Sequence, residues 1–69
     1  MDELRQQLLA MHRQQIEDMR HRHDLMRQGK FEMRSWVDGK WVSWNDETIA
    51  RDEQIIAQLE ALIKRIESE

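Results

Sequence analysis

An Asp-Gly pair at positions 38 and 39 stands between two runs of alternating apolar and polar residues, which together read FEMRSWVDGKWVSW over residues 31–44. Alternation with period two marks a strand. A two-residue type I′ connection needs positive φ at both central residues, and Asp-Gly meets that need. The stretch therefore predicts a β-hairpin over 31–44 with its turn at 38–39. The turn also sets the register: Val37 against Lys40, Trp36 against Trp41, Ser35 against Val42, Arg34 against Ser43, and Met33 against Trp44. One face then carries Phe31, Met33, Val37, Val42 and Trp44, and is expected to pack inward on the rest of the chain. The other carries Glu32, Arg34, Trp36, Trp41 and Ser43.

Both flanks of the hairpin have helical periodicity. Residues 2–28 read as one helix, roughly 40 Å long at the usual rise. Asp2 and Glu3 suit its positive N-terminal pole, and Gly29 suits the left-handed position that ends a helix. Its seam, alternating three- and four-residue steps, runs Leu9, His12, Ile16, Met19, His23 and Met26. Residues 46–67 read as a second helix with a cleaner seam, Ile49, Asp52, Ile56, Leu59, Ile63 and Ile66. Asn45 is the expected N-cap, with Trp44 and Ile49 as a hydrophobic staple. Packing the helices antiparallel sets Leu9 against Ile66 or Leu62, Ile16 against Leu59, and Met19 against Ile55 or Ile56. The same register sets His23 against Asp52, so the polar interruptions of the two seams are predicted to pair with each other. The first helix is expected to run about a turn past the second, leaving Leu4 and Leu8 for a partner.

These elements make an α+β chain of αββα order, a single domain over residues 1–69 with its helices packed as an antiparallel hairpin. A chain of 69 residues buries little surface. It has no cysteine, so no disulfide compensates, and either a marginal monomer or self-association is expected. Apolar runs are at most four residues long, which fits neither a membrane span nor a secretory signal. The net charge of −3 disfavours general nucleic-acid binding but conceals an asymmetry. Residues 20–40 hold Arg20, Arg22, Arg27, Lys30, Arg34 and Lys40 against Asp24, Glu32 and Asp38, so the hairpin end reads as basic and the second helix as acidic.

No nucleophile–base–orienter set, phosphate-binding glycine loop or redox motif is present, so no enzyme activity and no cofactor are expected. No metal is expected either. His21 and His23 diverge by about 200° on a helix, while His12 and His23 share a face three turns apart. The methionines sit at helical spacing and read as core. The Trp36–Trp41 pair is the most informative feature, with Arg34 and Lys40 beside it. It stabilises a small hairpin, or offers a protein-docking surface rich in Trp and Arg, or stacks on single-stranded nucleic acid. The candidate partner-binding residues are Trp36, Trp41, Arg34 and Lys40.

The order of motifs adds a resemblance: HDLM at 23–26, QGK at 28–30, a strand, the Asp-Gly turn, WVSW at 41–44, and IIAQLEAL at 55–62. Over residues 23–60 this resembles the head–tail joining protein W family of lambda-like tailed phages. The resemblance implies a helix–hairpin–helix α+β fold and a structural, non-catalytic role in head completion. It implies a neck adaptor added to the portal vertex as a ring of copies, with portal or neck proteins as partners, in the virion and the host cytoplasm. The alternative reading is a small dimeric regulator or inhibitor in the cytoplasm, binding a protein or a nucleic acid through its helices and basic hairpin end.

Overall fold

The computed structural model describes residues 3–68; the expected role of Asp2 at the first helix start lies outside them. The chain is α+β in αββα order: helix α1 (Glu3–Arg27), strands β1 (Arg34–Val37) and β2 (Lys40–Ser43), and helix α2 (Asn45–Ser68). The two helices pack against each other antiparallel, and the strands form a two-stranded antiparallel hairpin between them in sequence.

Local chemistry accounts for each boundary. At the end of α1, Gly29 takes φ +75°, a conformation most side chains resist. Its N–H donates to the Met26 carbonyl at 3.1 Å, and the Lys30 N–H donates to the Leu25 carbonyl at 2.9 Å. These two bonds are the Schellman arrangement, which satisfies carbonyls that a helix end leaves orphaned. In the turn, Asp38 and Gly39 take φ +49° and +82°, the two positive values a type I′ turn requires. The register follows as Arg34 to Ser43, Ser35 to Val42, Trp36 to Trp41 and Val37 to Lys40. One further bond, from the Trp44 N–H to the Met33 carbonyl at 2.7 Å, carries the ladder past the strands.

The start of α2 departs from expectation. The Thr48 N–H donates to the Trp44 carbonyl at 2.8 Å, so the first helical bond is accepted by Trp44, and Trp44 rather than Asn45 stands at the cap. Asn45 turns its side chain across to the hairpin instead. Its Oδ1 accepts from the Met33 N–H at 2.8 Å and its Nδ2 donates to the Phe31 carbonyl at 3.2 Å. The Phe31 carbonyl and the Met33 N–H lie outside the strand ladder, and the Asn45 amide supplies a donor to one and an acceptor to the other.

The seams meet as a narrow core. Ile16, Ile56 and Ile63 are buried, with Leu9, Met19 and Leu59 packed against them. Met26 is buried nearer the hairpin. Arg5 donates to the Ile66 carbonyl near the end of α2.

The expected inner face of the hairpin does not pack on the helices. Phe31, Met33, Val37 and Trp44 are all exposed, and only Val42 is half-buried. The molecule measures 56 × 18 × 16 Å. A 25-residue helix spans about 37 Å, and six strand residues add about 20 Å. The hairpin thus continues the long axis of the helix pair as a projecting finger. The physical reason lies in the links: the Schellman turn and the Asn45 clamp hold both strands directly over the helix ends, with too little chain to fold back.

Candidate functional site: the tryptophan finger and its charged base

Trp36 and Trp41 face each other across the hairpin, ring centroids 5.3 Å apart at an interplanar angle of 76°. This edge-to-face geometry sets the positive edge of one indole against the negative face of the other. Each remains more than half exposed, at 61% and 56%. The Arg34 guanidinium lies over the Trp41 ring, 4.7 Å from its centroid, within cation–π range. Arg34 Nε also stands 3.5 Å from Glu32 Oε1. Trp36, Trp41 and Arg34 therefore form one patch.

Lys40 does not join it. It pairs with Val37 next to the turn, and side-chain alternation puts it on the opposite face from Trp41. The opposite face is also apolar, through Phe31, Met33, Val37 and Trp44. At its base an open groove of about 590 Å³ is lined by Glu32, Met33, Arg34, Ser35, Trp44, Glu47, Thr48 and Arg51.

Below the finger, Asp52 is almost fully buried at 3% exposure. Its Oδ2 stands 3.0 Å from His23 Nε2 and accepts from Arg22 at 2.7 Å. Burial pushes the Asp52 carboxyl upward. The hydrogen bonds from His23 and Arg22, and the guanidinium charge, outweigh burial and hold it below its ordinary value. His23 is itself buried at 1%, so the paired seam interruptions form an anchored polar layer. Arg22 is the member that spacing alone did not single out.

The sequence also carried an unread signal. Arg13, Arg20 and Arg27 recur every seven residues on α1, and Glu53, Glu60 and Glu67 do so on α2. In the fold they pair along one edge: Arg13 with Glu67, Arg20 with Glu60 at 3.5 Å, and Arg27 with Glu53 at 3.3 Å. This corrects the basic hairpin end, because Arg20 and Arg27 are matched to glutamates and Arg22 to Asp52. Arg34, over Trp41 and beside Glu32, is the arginine of that set held at the tryptophan patch.

Among the described residues no group of three or more His, Cys, Asp or Glu side chains is placed to hold a metal ion. No described helix is long and apolar enough to cross a membrane. In comparisons with known proteins the chain matches no family model, no curated protein and no solved structure.

Proposed function

We propose that this chain is a non-catalytic interaction protein that docks a protein partner through the outer face of its hairpin. The observation that carries this reading is the exposed Trp36–Trp41–Arg34 cluster on the finger that extends the helix pair. Trp and Arg are the side chains that most often dominate binding energy at protein interfaces. Here they are already ordered against one another, which lowers the entropy lost on docking. The resemblance over residues 23–60 makes the partner concrete: portal or neck proteins of a tailed phage, with the chain acting as a head-completion adaptor in the virion. A finger held clear of the helix pair suits insertion between neighbouring subunits of a ring.

The test is a head-completion assay with DNA-filled heads that lack this chain, purified tails and added protein. The chain should restore infectious particles, and the Trp36→Thr/Trp41→Thr variant should not, while keeping its helical circular dichroism. Restoration by the double variant rules out the docking role. No restoration by the unaltered chain rules out head completion.

The second reading, a small dimeric regulator in the cytoplasm, is supported by an unpartnered apolar edge on the helix pair. Binding of single-stranded DNA that falls steeply with salt would favour it. The pairing of Arg20, Arg22 and Arg27 within the chain weighs against nucleic acid as the ligand.

A further inference from the structure

The two long edges of the helix pair differ in kind. The Arg–Glu pairs occupy one. On the other, Leu4, Leu8 and Met11 of α1 and Ile55 and Leu62 of α2 line up by heptad position, at 70%, 37%, 48%, 36% and 41% exposure. The residues around them are mainly Gln7, Gln14, Gln15 and Gln58, with Asp18 and Arg65 of opposite sign at the border. In a chain that is 36% charged, the stretch of this edge around Leu8 and Leu62 is uncharged, while Arg22 and Arg51 lie at its hairpin end.

We infer that a second copy of this chain covers that edge, joining two helix pairs into a four-helix bundle. Three observations select a second copy as the occupant. The first is area. The chain exposes 5633 Å², whereas a compact monomer of 8.5 kDa exposes about 4,700 Å². That excess is shared between the projecting hairpin and the bare helix edge, and a second copy on the edge would cover its share. The second is charge. A two-fold interface confronts each residue with the same surface, and an interface centred on the uncharged stretch at Leu8 and Leu62 brings no like charges together at its centre. The third is placement. Leu4, Leu8, Met11 and Leu62 lie toward the end away from the hairpin, so pairing there leaves both tryptophan fingers free. The inference rests on the helix faces; it shares this edge with the regulator reading and does not depend on the docking role of the tryptophans.

The test needs no partner protein. Sedimentation equilibrium of the full chain should give twice 8.5 kDa at micromolar concentration, and Leu8→Glu/Leu62→Glu should halve that mass. A monomer for the unaltered chain up to millimolar concentration overturns the inference. So does a dimer that survives Leu8→Glu/Leu62→Glu, or one that Trp36→Thr/Trp41→Thr dissolves. The absence of native cysteine supplies a second readout should the glutamate variant fail to fold. A short bis-maleimide should cross-link Gln58→Cys, beside the apolar edge, into covalent dimers and leave Ala57→Cys, beside the charged edge, as monomer. The reverse pattern places the interface on the charged edge and overturns the inference.

Discussion

His23 and Asp52 meet at 3.0 Å in the most deeply buried layer of the helix pair. Each interrupts an otherwise apolar seam, and only the antiparallel register brings the interruptions to one level. A charged carboxylate so enclosed is stable because two donors reach the same oxygen. The layer rewards this register over its neighbours, since a shift by one turn would leave Asp52 buried without a donor.

The layer makes stability depend on pH with a definite sign. The Asp52 carboxyl is held below its ordinary value. Its contribution is therefore fully present above the unfolded value, about 3.9, and is lost as pH falls through the lower folded value. Thermal melts between pH 7 and pH 2 should show the wild type losing melting temperature below about pH 4 more steeply than Asp52→Asn. At pH 7 the variant should be less stable by about 1–3 kcal/mol. Parallel melting curves for the two proteins across that range would disprove the coupling.

His12 offers the opposite case. It sits half-buried in the seam, with Nδ1 enclosed and without a hydrogen-bond partner. A buried polar atom left unpaired costs about 1–3 kcal/mol. His12→Leu should raise stability by about 1 kcal/mol, a gain of about 4–8 °C in melting temperature for a domain of this size. Calorimetry decides it, and a fall in melting temperature refutes it.

Gly29 ends α1 at φ +75° with nothing within 4 Å of where a Cβ would stand. Backbone strain, not crowding, is therefore the whole cost of a side chain there. Gly29→Ala should destabilise by about 1 kcal/mol, and Gly29→Asn by less, because Asn tolerates the left-handed region. Equal losses for the two in urea denaturation would show that dihedral strain is not the cause.

The hairpin touches the helices little, so its loss should be local. Trp41→Ala removes both the Trp36 edge contact and the seat of Arg34. It should cost the finger about 0.5–1.5 kcal/mol and abolish the indole exciton signal in circular dichroism. Helix content should stay within error. Unfolding of the helices together with the finger would contradict this.

The charged edge can be tested by reversal. Exposed ion pairs contribute about 0.2–1 kcal/mol each. Replacing Arg13, Arg20 and Arg27 by Glu should lower the melting temperature most at low salt. Adding Glu53→Arg, Glu60→Arg and Glu67→Arg should restore it. Failure of the second set to rescue would mean the edge does not pair as described.

Much of this architecture was decided residue by residue along the chain. Asp38-Gly39 determined the hairpin register and Gly29 the end of α1, because few residues accept their dihedral angles. The three-four spacing determined the seams, and with them the His23–Asp52 level. The arginine and glutamate heptads were equally legible, although pairing them required knowing which edges of the helices face one another. Tertiary structure decided the rest. It set the hairpin as an extension of the rod, because the links at Gly29 and Asn45 leave no slack for folding back. It turned Asn45 from cap to clamp, because the hairpin brings the Phe31 carbonyl and the Met33 N–H, both outside the strand ladder, within reach of its amide. It put Lys40 on the opposite face from the tryptophans and left one edge of the helices apolar and bare. Dihedral preference acts through a residue and its neighbours and is written locally. Which face ends up covered depends on competition among surfaces far apart in the chain, and only the folded arrangement resolves that.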